Sequence, residues 1–196
     1  MKSNVAFMLG ALVVAGGVAR AEVVSFEVDK AHTSIGFAVK HMVVSTTKGS
    51  FNDFSGEFSV DPADPTTLSA KATIVATSVD TANEKRDGHL RNEDFFDVAK
   101  YPEIKFESTG VEKAGDGLIL KGNLTMKDVT KEISIPVEVN GPVNDPWGNV
   151  RYGFEGSTKI NRKDWGINFG GVMDNGGLVV ADDVKIEISV EGIQKK

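Results

Sequence analysis

Apolar and polar side chains alternate at every second position over most of the chain after residue 22. The alternation is clearest at residues 118–126, 133–139 and 184–190, where the polar positions are mostly Lys, Glu, Ser and Thr. A period of two places one face of an extended strand in a core and leaves the other face in water. The pattern predicts eight or nine antiparallel strands, at about residues 23–28, 35–41, 54–60, 67–79, 104–107, 118–126, 133–139, 152–160 and 184–190.

Strands of this kind either close into a barrel or pack as a sandwich. Two long strands and glycines on the apolar face, such as Gly56 and Gly122, favour the barrel, because tight curvature requires missing side chains. We therefore expect an all-β fold, a single antiparallel eight-stranded barrel. Residues 83–96 are charged and lack the alternation, which predicts a short helical segment whose apolar side chains pack inward.

The first 21 residues have the organisation of a secretory signal peptide. Lys2 supplies a positive charge, residues 5–18 are mainly apolar, and Ala19-Arg20-Ala21 fits the small-x-small cleavage rule. The apolar run is shorter than the roughly 20 residues that cross a bilayer, so we expect cleavage after Ala21 and no stable membrane insertion. An uncleaved anchor is the alternative. The prediction is an exported protein with one domain over residues 22–196.

The charge balance limits the partners that the chain can bind. It has 22 Lys and Arg against 28 Asp and Glu, and loss of Lys2 and Arg20 with the signal peptide would leave 20 − 28 = −8. This acidic balance argues against nucleic acid as a partner, and against docking on an anionic membrane by charge alone. The chain has no cysteine, which excludes thiol catalysis and thiolate metal ligands.

The sequence contains no motif of a hydrolase, metalloprotease or nucleotide-binding site. We therefore expect no enzymatic activity, catalytic residue, cofactor or metal site. His32 and His41 lie nine residues apart along a predicted strand, so they face opposite sides. His41 shares the inward face with Phe37 and Val39, where it would contact the head group of a ligand. The alternative is an inert histidine at the rim.

The densest polar cluster lies at residues 86–91. Arg86, His89 and Arg91 would suit a phosphate or quinone head group through charge-assisted hydrogen bonds. The alternative is a solvated helical turn with local ion pairs, such as Asp87 with Arg91. The carboxylates at residues 93–97 favour this second interpretation.

Residues 86–98, followed by residues 101–109, resemble the signature of the YceI-like family. Further blocks that are similar to this family occur in order at residues 29–37, 49–56, 122–131 and 161–166. The similarity spans about residues 24–192, and the departure at Asp128, where glycine is usual, concerns a turn that aspartate tolerates. The resemblance implies a lipocalin-like barrel with a long apolar cavity, an isoprenoid or other long-chain lipid as ligand, a periplasmic location, frequent homodimers and no established enzymatic activity.

An apolar inward face would either line a cavity or fill a core, and the residues themselves do not distinguish these cases. Three classes of function follow: a lipid carrier, an enzyme acting on a bound lipid with His41 as the candidate polar group, and a structural or interaction protein with a filled core. The resemblance favours the carrier. Its predicted wall residues are Phe37, Val39, Phe54, Phe58, Ile74, Phe106, Leu120, Leu124, Ile135 and Phe154.

Overall fold

The computed structural model describes residues 22–174 and 176–195, so the predicted signal peptide and its cleavage site at Ala21 lie outside the described residues. Within these ranges, eleven strands form one sheet, and one α-helix, α1, spans Glu84–Arg91. The strands are β1 (Val24–Val28), β2 (Ser34–His41), β3 (Ser45–Phe51), β4 (Phe54–Asp61), β5 (Asp64–Val75), β6 (Val79–Asp80), β7 (Glu103–Ala114), β8 (Gly117–Met126), β9 (Val129–Asn144), β10 (Val150–Asn161) and β11 (Val180–Gln194).

Eight of the strands close into a ring. Their order is β1-β4-β5-β7-β8-β9-β10-β11, and antiparallel pairing of β1 with β11 completes the circle. Each of the other three strands extends a ring strand after a short break in the chain. Strand β2 extends β1, and both pair with β11; β3 leads into β4, and β6 extends β5. The predicted all-β fold, a single antiparallel eight-stranded barrel, is therefore confirmed.

The three breaks lie side by side across the sheet. The backbone N–H of Val75 donates to the carbonyl of Asp53 at 2.9 Å, and the Ser78 hydroxyl donates to the same oxygen at 3.3 Å. Lys30, in the break between β1 and β2, forms an ion pair with the Asp53 carboxylate at 3.1 Å. These contacts join neighbouring strands across the breaks, so the wall stays connected there.

The two ends of the barrel differ in how they are filled. At one end, called the closed end here, the Phe26 and Phe58 rings stack with centroids 5.0 Å apart, and Tyr152 packs on both. Phe26 is fully buried. At the other end, called the helix end, the chain makes the β2–β3 turn, α1 and the long loop at residues 166–179.

Helix α1 forms where the sequence predicted a helical segment near residues 83–96, which confirms that prediction. Asn83 caps the helix, because its side-chain oxygen accepts a hydrogen bond from the Arg86 N–H at 3.0 Å. The buried Asp87 carboxylate accepts from both the backbone N–H and the hydroxyl of Thr81. These bonds fix the helix against the end of β6, so that Leu90 lies over the barrel interior.

Candidate ligand-binding cavity

The barrel encloses an interior cavity of about 200 Å³ that extends from the closed-end core to the helix end. Inward side chains of the strands form its wall, and Leu90, Phe95 and Phe96 contribute from the helical segment. The inward packing of these three residues was predicted. The structure also brings together ten of the predicted site residues on this wall: Phe37, Val39, Phe54, Phe58, Ile74, Phe106, Leu120, Leu124, Ile135 and Phe154.

Glycines on the inner wall make room for the outer edges of phenylalanine rings. A Cβ atom on Gly122 would lie 2.4 Å from Cζ of Phe106, and one on Gly49 would lie 2.4 Å from Cζ of Phe37. Real Cβ atoms do not approach other atoms so closely, so only glycine fits beneath each ring. With the rings held along the wall, the barrel interior keeps space that a filled core would not have.

Few charged groups border the cavity. Glu57 and Lys71 do so, but their charged ends form exposed ion pairs with Lys195 and Glu107 respectively. Arg162 is the exception, because its side chain is buried at the helix end of the cavity. The cavity is therefore suited to an apolar ligand, with one guanidinium group at its end.

Arg162 is a residue of the site that sequence reasoning missed. Its guanidinium donates to the carbonyls of Ile167 at 2.7 Å, Ala181 at 2.9 Å and Val180 at 3.3 Å, and to the Asp182 carboxylate at 3.2 Å. Burial lowers the pKa of Arg162, while the Asp182 charge opposes that effect. These bonds join the start of β11 to the loop at residues 166–179, so Arg162 holds the end wall of the cavity in place.

His41 does not line the cavity, contrary to the inward contact considered above. It is the last residue of β2, where it pairs with Ser45 of β3 and Val180 of β11, and it is only half-buried. The strand ladder ends at this position, so alternation no longer dictates which way the side chain faces. The structure is in line with the rim histidine.

Arg86 and His89 also lie away from the cavity wall. Arg86 donates from Nε to the Thr81 hydroxyl at 2.7 Å and from Nη2 to the Thr81 carbonyl at 2.8 Å. His89 contacts the Asp94 carboxylate at 2.9 Å, and its ring packs edge-on against Phe169 at 4.7 Å. Both side chains thus hold the helical segment to its neighbours.

Arg91 has a similar structural role. Its guanidinium donates to the carbonyls of Thr77 and Val79, each at 2.8 Å. The helical ion pair suggested for Asp87 and Arg91 is replaced by these bonds and by the Thr81 contacts of Asp87. The polar cluster therefore anchors the crossover between β6 and β7.

Another polar cluster, on the outer surface, was not predicted from sequence. Asp29, His32 and Glu191 place ligand atoms within 4.8 Å of one another. However, Arg151 forms ion pairs with Asp29, Glu191 and Asp145, so a guanidinium already neutralises these carboxylates. The Arg151 hydrogen bond, with a further one from His32, lowers the pKa of Asp29 to about 2. The donor set fits an arginine-centred network better than a metal centre.

A closed antiparallel barrel with an apolar interior cavity places the protein in the class of lipocalin-like barrels, whose interior has room for one small ligand. None of the helices formed by residues 22–174 and 176–195 has the length and hydropathy of a membrane-spanning segment. The chain belongs to the YceI-like domain family, whose family model matches residues 26–192.

Relatives and solved structures agree with this assignment. The chain is 41% identical over 194 residues to a UPF0312 protein of Pseudomonas paraeruginosa, which covers 99% of this chain and 98% of that protein. The crystal structure of BcnA from Burkholderia cenocepacia matches with a TM-score of 0.73 and 27% identity, covering 84% of this chain and 98% of that one. A polyisoprenoid-binding domain from Saccharophagus degradans, implicated in plant cell wall breakdown, shares the fold with a TM-score of 0.65 and 15% identity, over 88% of this chain and 99% of that one.

Proposed function

We propose that this protein binds a long apolar lipid, of isoprenoid type or a similar amphiphile, inside its barrel and carries or stores it in the periplasm after export. The observation that carries the proposal is the interior cavity, whose wall is formed almost entirely by apolar side chains. The structural similarity to a domain described as polyisoprenoid-binding supports the same ligand class.

The apolar wall accounts for affinity without a specific polar contact. Each buried carbon group of a ligand contributes roughly 0.8 kcal/mol, so a five-carbon isoprene unit contributes roughly 3–4 kcal/mol before the cost of ordering the chain. A few units therefore suffice for tight binding. The polar end of the lipid then needs only to remain near water at the helix end.

Binding accounts for the site better than the two other classes of function. His41, the candidate polar group for an enzyme acting on a bound lipid, lies outside the cavity. A filled-core interaction protein would not keep an interior cavity bordered by Phe37, Phe106 and Phe154. The proposal therefore describes a carrier that leaves its ligand chemically unchanged.

The first test is native mass spectrometry of the protein purified from the periplasm without detergent, followed by organic extraction. We expect one co-purifying lipid with an isoprenoid mass. The same spectrum gives the mass of the chain, which should begin at Glu22 if the signal peptide is cleaved after Ala21. Ligand-free protein that also takes up no prenyl lipid when offered it would contradict the carrier proposal.

Phe106→Arg provides the matched mutational test, because it puts a charge into the apolar wall. We expect loss of prenyl-lipid binding by a variant that still gives the β-sheet circular dichroism of the parent. Ser134→Arg is the control. Ser134 is exposed beside the cavity-lining Ile135, so this substitution adds the same charge on the outer face of the barrel. Undiminished binding by a folded Phe106→Arg protein would contradict the cavity assignment.

A further inference from the structure

Two loops at the helix end expose apolar side chains to solvent. The β2–β3 turn exposes Met42, Val43 and Val44, with 42%, 71% and 88% of their surface accessible. The loop at residues 166–179 exposes Phe169 and Val172, at 37% and 70%. These five residues are called the apolar rim here. Exposed apolar residues are ordinary, and Val23, Val143 and Trp147 near the closed end are exposed too. The apolar rim differs from them in its position beside the cavity, which makes it a candidate interaction surface.

The apolar rim is continuous with the cavity wall. The backbone N–H of Met42 donates to the carbonyl of Val179 at 3.0 Å, which joins the turn to the long loop. The next residue, Val180, lines the cavity. On the other side, the Phe169 ring packs against Phe95 at 4.9 Å, and Phe95 is also a cavity residue. A lipid leaving the cavity at this end would meet the rim.

The backbone of the turn is unusual for the residues that form it. Met42 and Val43 have φ angles of +50° and +61°, in the left-handed region that glycine, asparagine and aspartate normally occupy in such turns. A β-branched valine is strongly disfavoured there. The turn thus keeps exposed apolar side chains where glycine or asparagine would give a more stable hairpin, and such outliers are concentrated at functional sites.

Charged residues are almost absent from the two loops. Residues 42–44 and 166–179 contain a single charged side chain, Asp174, although charged residues make up 26% of the chain. A scarcity of charged residues together with exposed apolar side chains is typical of the centre of an interface. Without Lys or Arg, these loops offer nothing to attract an anionic surface, and the whole chain carries a net charge of −6.

We propose that the apolar rim docks reversibly on the surface of a lipid bilayer that is neutral or weakly charged, so that the cavity opens towards the membrane. This inference rests on the proposed function, since a carrier of an insoluble lipid must exchange it with a membrane. A bilayer is favoured over a protein partner because the rim is apolar, nearly uncharged and continuous with a lipid-binding cavity. Insertion of a few side chains gives weak binding, as a shuttle between membranes requires.

The test is flotation of the purified protein with phosphatidylcholine vesicles. We compare the parent with the double variant Val44→Asp/Val172→Asp, which should fold because both side chains are exposed. Val143→Asp is the matched control, since Val143 is 61% exposed near the opposite end of the barrel. We expect the double variant to lose vesicle binding by about tenfold or more, the control to bind like the parent, and salt to have little effect.

A second measurement separates this inference from the proposed function. Uptake of a water-soluble fluorescent prenyl probe is measured without vesicles, and the double variant should retain it. A parent that takes up the probe but does not bind vesicles overturns the docking inference alone, as does a double variant that binds vesicles like the parent.

Vesicle binding that depends on the apolar rim, without probe uptake, supports docking and overturns the lipid-carrier proposal. A parent dimer that the rim substitutions dissociate, without vesicle binding, makes the rim a self-association surface and overturns docking.

Discussion

Replacing Gly122 by alanine tests whether the close packing of the Phe106 ring on Gly122 keeps the cavity open. The added Cβ would lie 2.4 and 2.6 Å from two atoms of the Phe106 ring and 2.8 Å from the Glu107 carbonyl oxygen. Ordinary contacts begin at 3.4 Å, so the ring must move away from the wall by about 1 Å. Because Phe106 lines the cavity, we expect the ring to shift into the space proposed for the ligand.

The expected loss of stability follows from overpacking, which typically costs about 1–3 kcal/mol. Part of this loss is offset, because alanine lowers the conformational entropy of the unfolded chain. This effect stabilises the folded state by roughly 0.4–1 kcal/mol relative to glycine. We therefore expect Gly122→Ala to lower the free energy of unfolding in urea by about 1–2 kcal/mol. The prenyl probe should also bind more weakly, because the displaced ring occupies part of the cavity.

Two further variants make the result interpretable. Gly110→Ala is the matched control, since Gly110 lies in β7 with nothing within 4 Å of the added Cβ. It should change stability by less than about 0.5 kcal/mol. Phe106→Leu combined with Gly122→Ala should cost less than the sum of the two single changes, because the smaller side chain relieves the clash. If Gly122→Ala is as stable as Gly110→Ala, or if the double variant is additive, the reasoning is refuted.

Two other predictions concern the closed end and the surface network. Phe26→Ala should lower the free energy of unfolding in urea by about 3–5 kcal/mol, because the fully buried ring stacks on Phe58; a loss below 1 kcal/mol would contradict a filled closed end. Arg151→Met removes the main hydrogen bond that lowers the pKa of Asp29 from 3.8 to about 2. A lowered carboxyl pKa stabilises the fold above the unfolded value and loses this effect as the pH falls through the folded value. The variant should therefore be less stable than the parent at pH 6, and the difference should shrink between about pH 4 and pH 2 in urea titrations; a difference independent of pH would argue against the ion pairs.

Local alternation predicted most of the strands, but it did not predict β3. In β3 the inward positions opposite Val39 and Phe37 are Thr47 and Gly49. The space inside Gly49 is filled by the Phe37 ring from the neighbouring strand. The segment therefore needs no apolar side chain of its own there, and its sequence gives little sign of a buried face. Such a strand can be recognised only when the side chains that the adjacent strand places over it are known.

The same limit explains the outcome for the candidate site. Its apolar wall could be predicted, because period two assigns each side chain to a face of its own strand. The polar residues were less predictable, since their partners are fixed by tertiary structure. Arg162 is held by backbone carbonyls of Val180 and Ala181, and Arg86 is bound to Thr81 on the preceding connection. Neither set of contacts follows from local spacing.

The position of β11 in the ring has a consequence for the order of assembly. This last strand pairs with β10, β1 and β2, and Thr33 exchanges hydrogen bonds with Glu191, which lies 158 positions later in the chain. Until β11 is in place, the strands that it joins have unpaired edges, which are prone to pair with other chains. Contacts between such distant residues also form slowly. The interior cavity is therefore complete only once β11 has paired, and a nascent chain cannot close the barrel before that strand arrives.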